Sequence, residues 1–456
     1  MKLVLLSGGS GKRLWPLSND ARSKQFLRVL KDEKGKEESM VQRVWRQLHK
    51  ENLHQHSVIA TSLAQVDMIK NQLGYEVPIV IEPQRRDTFP AIALAVVYLI
   101  SVQNCDPNEV VCMLPVDPYV EDEFFNKVKE MEQVIESSDA ELALMGVTPT
   151  YPSEKFGYII PSHHQSSDFL EVDYFKEKPQ KDQAEKLINK GALWNCGIFA
   201  FKLKHILDLL ESMGLPTTYE ELLSQYSNIP KTSFDYEVVE RNKNIVVLPY
   251  KGIWKDLGTW NTLTDEMTSS ITGKGIISEE SENSHIINEL DIPITLLGLN
   301  NVVVAASPDG ILVTDKEKSA KLKQYLGGYE GRPMYEERLW GWYRVLEHTK
   351  YEEGNEVLTK RIGINSGANL SYQVHFKRSE VWTVIKGEGI FVLNNKFTHI
   401  RSGDVINIPL ASKHSLKAIT EMEIIEVQTG SELIEEDIHR FTKDWEEIME
   451  SCDVLI

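Results

Sequence analysis

Leu3-Val4-Leu5-Leu6-Ser7-Gly8-Gly9-Ser10-Gly11-Lys12-Arg13-Leu14-Trp15-Pro16-Leu17, with Ser23-Lys24-Gln25-Phe26 shortly after it, is the stretch around which the 456-residue chain is organised. The apolar run Leu3 to Leu6 reads as a buried parallel strand. Gly8, Gly9 and Gly11 then let backbone N–H groups approach a ligand with no Cβ in the way, which outlines an anion cradle. Lys12, Arg13, Arg22, Lys24, Arg28 and Lys31 stand here against one acid, Asp20, in a protein of net charge -18. That local contrast suits a polyphosphate. The spacing is neither GxGxxG nor GxxxxGK followed by Ser or Thr, so the Rossmann dinucleotide and P-loop readings drop and an ordinary tight turn is the remaining alternative.

Outside this stretch, composition sets the bounds. The length predicts two or three domains, and 41% hydrophobic with 26% charged residues reads as a soluble globular chain. A pI near 5.2 argues against nucleic acid or an anionic membrane as partner, since both would repel it. No apolar run reaches the length of about 18 residues needed to span a bilayer, and Met1-Lys2 leads straight into a strand rather than a signal peptide. Cys105, Cys112, Cys196 and Cys452 lack CxxC spacing, which favours reduced thiols in a cytoplasm over disulfides or a zinc site.

From the N-terminus, apolar strands alternate with helical stretches. Ser57 to Thr61, Val77 to Glu82, Val110 to Leu114 and Leu142 to Val147 read as strands, and Pro90 to Val102 and Phe125 to Ser138 as helices. This is βαβ logic, an α/β domain with a mostly parallel sheet covered on both faces. Ligands in such sheets sit beyond the carboxyl ends of the strands. Glu82-Pro83-Gln84-Arg85-Arg86-Asp87-Thr88 lies there, placed to receive a base, ribose or phosphate through Glu82 and Arg86, or simply to cap the next helix. So does Asp117, which closes the strand VVCMLPVD as a candidate Mg²⁺ ligand or as a turn aspartate. Glu177 and Lys178 are adjacent; on a strand they point to opposite faces, Glu177 suited to sugar hydroxyls and Lys178 to a sugar phosphate. Asp256, after the apolar strand Ile245 to Leu248 and Ile253, is a candidate second metal ligand.

The pattern changes after about Leu263. Short strands at Asn301 to Ala305 and Ile311 to Thr314 predict an appended β element. From Val357 to Val427 strands recur about every ten residues with Gly turns, which predicts an all-β sandwich or barrel. Strand alternation puts Leu370, Tyr372, Val374 and Phe376 on one face, and Gln373, His375 and Lys377 on the other. Gln373, His375, Glu380 and His414 form a set suited to Zn²⁺ or another divalent ion, set against the commoner structural role of lone polar residues in a barrel.

Several of these segments share a resemblance. GGSGKRLWPLS…KQFL is similar to the signature loop of sugar-nucleotide pyrophosphorylases, and the LWPLS and KQF portions to their mannose-1-phosphate guanylyltransferase branch. Lys12 and Ser23 stand where that family usually has Thr or Ser and Pro. EPQRRDTFPA resembles the family's EPxxRNTxPA, and LPVDP its metal-binding LPxDH with Pro118 replacing His. The segments at Phe156-Gly157-Tyr158, FKEKP, WNCGIF (Cys196 for Ser), SFDY and WKDLGTW follow the same series. The C-terminal LSYQVHFKRSEVW, Glu426-Val427-Gln428 and Glu436-Asp437-Ile438-His439-Arg440 resemble a cupin of the type II mannose-6-phosphate isomerase kind, with Phe376 and Lys377 replacing its further histidines.

The resemblance implies a nucleotidyltransferase domain over 1–265, a β-helix-like linker over 266–334 used for packing or oligomerisation, and a cupin over 335–456. It implies a cytoplasmic homo-oligomer that makes GDP-mannose and pyrophosphate from GTP and mannose 1-phosphate. Gly8, Gly9, Gly11, Lys12, Arg13, Lys24, Glu82 and Arg86 would bind nucleotide, and Gly157, Glu177, Lys178 and Asn195 the sugar phosphate. Asp117 and Asp256 would hold Mg²⁺; Arg13, Lys24, Asp117 and Lys178 would carry the chemistry. Arg378 and Arg440 are kept from the isomerase pattern, which implies interconversion of fructose 6-phosphate and mannose 6-phosphate. The alternatives are another nucleoside triphosphate or sugar 1-phosphate with an inactive cupin, and a non-catalytic sugar-nucleotide sensor.

Overall fold

In the computed structural model, which describes residues 1–9, 12–19, 21–165, 169–327, 331–352 and 354–452, the glycine stretch follows the strand on which the first sheet is built. That strand, β1 (Lys2–Ser7), pairs in parallel with β2 (Ser57–Ser62) and with β4 (Val110–Pro115), and β2 pairs in parallel with β3 (Ile79–Glu82). β1 alternates its apolar residues between two cores, Leu3 and Leu5 to one face and Val4 to the other, and β4 does the same with Cys112 and Met113. Helices α1 (Met40–Lys50) and α3 (Phe124–Ser137) cover the first face, and the almost wholly buried α2 (Thr88–Ser101) the second. Burying each Leu, Val or Phe contributes about 1.5–3 kcal/mol, which is why both strand faces read as apolar in the sequence.

The rest of this sheet departs from the parallel expectation. Its order is β3-β2-β1-β4-β9-β6-β10-β8-β7, with β6 (Leu142–Val147), β7 (Tyr158–Gln165), β8 (Leu170–Lys176), β9 (Leu193–Lys202) and β10 (Ile245–Tyr250). β9 runs antiparallel to both β4 and β6, while β10 and β6 are parallel. The WNCGIF segment is therefore a bulge in the middle of a strand. Its register breaks between Asn195 and Phe199, with Gly197 at φ +73, a conformation glycine adopts without strain. A short antiparallel ribbon of β5 (Pro118–Val120) and β11 (Trp254–Asp256) pairs Asp256 with Pro118. Between residues 271 and 315 short strands follow, of which Ile271–Thr272 pairs with Ile286–Ile287 and Gly275–Ile277 with Ile294–Leu296, both in parallel.

The chain forms two compact units, 1–287 with 294–304 and 313–326, and 288–293 with 305–312 and 327–456. In the second, β12 (Tyr335–Arg338), β13 (Gly341–Lys350), β14 (Glu356–Ile364), β21 (Met422–Gly430), β16 (Arg378–Lys386) and β19 (Val405–Ile408) make one antiparallel sheet in that order. β18 (Lys396–Arg401), β17 (Glu388–Leu393), β20 (His414–Ala418), β15 (Tyr372–Val374) and β22 (His439–Thr442) make the other. Inward parity along β16 and β21 runs from apolar (Val384, Ile424) to polar (Glu380, Glu426, Gln428), all buried. The expected inner alternation stops at Val374, where the strand ends. Phe376 is exposed, and Lys377 turns outward to Glu432 rather than sharing the face of His375.

Candidate functional site

Beyond β1, Gly9 holds φ +100, and a Cβ built on Gly8 or Gly9 would meet nothing within 4 Å among the described residues. The turn thus presents open backbone. Behind it lies a buried polar network that no sequence motif signalled. Ser23 Oγ donates to the Gly9 carbonyl at 3.0 Å, Gln65 Nε2 donates to Ser23 Oγ at 2.7 Å, and Gln25 Nε2 donates to Ser7 Oγ at 3.2 Å. Ser7, Ser23, Gln25 and Gln65 are all buried, so each bond also removes the cost of an unpaired polar group. The network fastens the glycine turn to the helical turn Lys24–Phe26. Gly11 lies outside the described residues; Lys12–Leu14 form a helical turn, with Arg13 exposed.

Lys24 is where the two distant carboxylates meet. Its ammonium is 2.9 Å from Asp117 Oδ2 and 2.7 Å from Asp256 Oδ1. β4 delivers Asp117 at its carboxyl end, and the β5–β11 ribbon sets Asp256 beside it. Burial alone would lower the Lys24 pKa; Asp117 and then Asp256 reverse this and hold it above the ordinary lysine range. Burial would raise the Asp256 pKa, but Lys24 outweighs it and holds the carboxyl below its usual range. A cation between two convergent carboxylate oxygens is the arrangement a hard divalent ion needs, so the donor set fits Mg²⁺, with the ammonium as its stand-in.

From this point a cavity of about 270 Å³ extends past Lys155, Phe156 and Gly157 to Glu177, Asn195 and Asp235. The expectation that Glu177 and Lys178 point to opposite faces is corrected here. β8 ends at Lys176, Lys178 adopts φ +43 in the bend that follows, and its ammonium contacts the Glu177 carboxylate. Strand parity ends with the strand. Burial would lower the Lys178 pKa, and Glu177 raises it. The Glu177 N–H donates to Glu240 Oε1 at 3.1 Å, while Glu177 Oε2 is buried with no hydrogen-bond partner among the described residues. A Cβ on Gly157, just before β7, would strike the Phe175 ring and Glu177 Oε2, so glycine is what lets the chain pass the carboxylate.

Asn195 Nδ2 donates to Asp235 Oδ1 at 2.7 Å, and its own Oδ1 accepts from the Gly197 N–H at 3.0 Å. The bulge thereby fixes the Asn195 side chain. Asp235 is a site residue to which sequence reasoning assigns no role, although its SFDY segment belongs to the resemblance. Burial first, and the Glu177 carboxylate second, push its pKa up to about 7. Cys196 is buried with its thiol on the Met145 carbonyl at 3.1 Å, turned into the core.

Glu82 and Arg86 are held by the 226–230 segment: Tyr226 Oη donates to Glu82 Oε2 at 2.7 Å, and Arg86 donates to the Ile229 carbonyl at 2.9 Å. Burial raises the Glu82 pKa. Asp87, at φ +73, caps α2 through its carboxylate on the Thr88 N–H.

In the second unit, one ligand atom each from His375, Glu380 and His414 lie within 4.8 Å of one another, and all three residues are buried. His414 Nε2 has no hydrogen-bond partner among the described residues, while its Nδ1 faces the Ser412 carbonyl at 3.0 Å. An orphaned ring nitrogen facing a carboxylate, with the other nitrogen held by a carbonyl, is the donor chemistry of a metal-ligating histidine, so the set fits a divalent metal. Gln373 Nε2 lies 3.4 Å from His375 Nε2. Arg378 Nε donates to Glu380 Oε1 at 3.0 Å, and Arg440 is half-exposed beside Glu435. Burial lowers the His375 pKa to about 4, leaving it neutral and able to bind metal.

Known proteins resemble the chain along most of its length. A family model described as nucleotidyl transferase matches residues 2–272, and one described as mannose-6-phosphate isomerase C-terminal matches residues 332–443. A mannose-1-phosphate guanylyltransferase of Salmonella muenchen is 28% identical over 479 residues, covering 96% of this chain and 98% of that relative. The xanthan biosynthesis protein XanB of Xanthomonas campestris pv. campestris (strain B100) is 30% identical over 475 residues, covering 96% and 97%. A crystal structure described as a mannose-1-phosphate geranyltransferase from Thermus thermophilus matches with a TM-score of 0.59 at 25% identity, over 72% of this chain and 99% of that one.

Proposed function

Because the chain belongs to the nucleotidyl transferase family and carries a mannose-6-phosphate isomerase C-terminal module behind it, we propose that it transfers a guanylyl group from GTP to mannose 1-phosphate. The products are GDP-mannose and pyrophosphate. The observation that carries this reading is one cavity with Asp117, Asp256 and Lys24 at one end and Glu177, Asn195 and Asp235 at the other. A phosphate oxygen of the sugar 1-phosphate attacks the α-phosphorus in line and pyrophosphate leaves. The phosphate monoester is already nucleophilic, so catalysis rests on positioning and on neutralising charge. The Gly8-Gly9 turn and Arg13 receive the triphosphate; Lys24 leaves its two carboxylates for the phosphates as they arrive. Asp117 and Asp256 would hold Mg²⁺, which when bound would offset phosphate charge. Glu177 and Asn195 orient the sugar, and Lys178 meets its phosphate.

Pyrophosphate release from GTP, mannose 1-phosphate and Mg²⁺ tests this. Release that needs all three supports it; no release, with binding intact, favours a sensor. Release with another nucleoside triphosphate or sugar 1-phosphate would keep the chemistry and change the substrates.

For the barrel, the reading is a Zn²⁺ or other divalent site on Gln373, His375, Glu380 and His414, with interconversion of fructose 6-phosphate and mannose 6-phosphate and Arg378 and Arg440 as phosphate-binding groups. The buried three-residue donor set supports it. Conversion of mannose 6-phosphate to fructose 6-phosphate, abolished by a chelator and restored by metal, is the test.

The protein is read as a cytoplasmic homo-oligomer. Its four cysteines are buried, Cys105, Cys112 and Cys196 as free thiols, and no helix among the described residues is long and apolar enough to cross a membrane. Ile276 and Leu297 are largely exposed apolar side chains that an assembly would cover. Light scattering on the purified chain gives the oligomeric state.

A further inference from the structure

The cavity described above is lined by two lysines, and only one is spoken for. Lys24 is paired with Asp117 and Asp256. The Lys155 ammonium, among the described residues, makes no ion pair or hydrogen bond, and its charged neighbours Arg13 and Asp256 act on it at longer range. Lys155 is exposed at the cavity rim, where partial desolvation and then the Arg13 guanidinium lower its pKa; an anion beside it would favour its charged form. The backbone that carries it is fixed. The Lys155 N–H donates to Ser153 Oγ at 3.1 Å, the Ser153 N–H donates to the Tyr158 hydroxyl at 2.8 Å, and that hydroxyl donates back to the Ser153 carbonyl at 3.0 Å. On its other side Phe156 packs against Trp194 and Trp254, with ring centroids 4.9 and 5.4 Å apart.

Lys155 therefore stands on a braced loop, between the carboxylate end of the cavity and the end formed by Gly157, Glu177 and Asn195. We propose that Lys155 binds the phosphate of the incoming sugar 1-phosphate and sets its oxygen toward the metal end of the cavity. This rests on the nucleotidyl-transfer reading and adds a substrate contact that no sequence motif assigned. Lys178, which the reading above also sets against this phosphate, is paired with Glu177, so Lys155 is a second cation for it and brings a charge that no described residue pairs.

The test uses Lys155→Met and Lys155→Arg in the full chain, with GTP and mannose 1-phosphate varied separately. Losing one charge-assisted contact to a phosphate raises KM for mannose 1-phosphate by about ten- to a hundredfold. KM for GTP moves less than about twofold, and Lys155→Arg recovers most of the loss. A rise in KM for GTP instead, or no change in either constant, overturns the assignment. Calorimetric titration of mannose 1-phosphate, with mannose as the uncharged control, separates this from the parent reading. If the wild-type chain releases no pyrophosphate, the parent reading fails. Weaker phosphate binding by Lys155→Met then still supports Lys155, and equal binding refutes it.

Discussion

Replacing Lys24 with methionine removes the cation from between Asp117 Oδ2 and Asp256 Oδ1, at 2.9 and 2.7 Å. Each charge-assisted hydrogen bond contributes about 1.5–3 kcal/mol. The three side chains keep between 22 and 31% of their surface, so solvent takes back part of that. Two carboxylates left facing each other then repel, and the net loss of stability without metal comes to about 2–3 kcal/mol. At about 2–4 °C per kcal/mol for a domain of this size, the first unit's thermal midpoint falls by roughly 4–12 °C. Magnesium without nucleotide should restore most of this in Lys24→Met and change little in the wild type, where the ammonium already fills the place. Differential scanning calorimetry of both proteins, with and without magnesium, reads the effect. Equal midpoints, or equal magnesium shifts, would refute the idea that Lys24 stands in for the metal.

Further outcomes follow from the same geometry. Asp117→Asn lowers turnover by at least about a hundredfold, measured as pyrophosphate release, because half of the metal donor set is lost. Gly157→Ala drives a Cβ into Phe175 and Glu177, costing about 1–3 kcal/mol by overpacking and weakening mannose 1-phosphate binding in a calorimetric titration. Asp235, held near pH 7 in the folded state against an ordinary value of 3.8, binds its proton more tightly folded than unfolded. Its contribution to stability is present below about pH 4 and is lost as pH rises toward 7. Asp235→Asn keeps an acceptor for Asn195 and removes that loss, so urea midpoints at pH 8 rise relative to wild type while those at pH 4 do not. His375→Ala abolishes bound metal in the second unit, read by elemental analysis beside the wild type.

What the sequence disclosed follows from what is local. The strand Leu3 to Leu6, the turn at Gly8 and Gly9, the helices over 88–101 and 124–137, and the shared parity of Gln373 and His375 all arise from periodicity or from glycine. Asp117 was singled out because an apolar strand ends beside it, and the resemblance rather than the strand set it above a turn aspartate. The antiparallel insertion of Leu193–Lys202 was not, since pairing direction is set by partners far along the chain and leaves no period of its own. Nor was the bond from Gln65 to Ser23, 42 residues apart, whose polar side chains look like ordinary surface residues. Lys178 was misdirected because strand parity was carried one bend too far. Asp235 and Lys155 became visible only when folding set them beside Glu177 and Asp256.

Asp117 and Asp256, brought together at the glycine turn, are held to serve transfer of the α-phosphoryl group to a sugar phosphate. Phosphorus NMR on GTP and mannose 1-phosphate with magnesium and the purified chain follows that atom directly. The α-phosphorus signal is expected to move into a sugar diphosphate as one pyrophosphate appears per product, and Asp256→Asn to stop both changes together. An α-phosphorus that stays in GTP, or that emerges as GMP or GDP with mannose 1-phosphate unconsumed, would rule that role out.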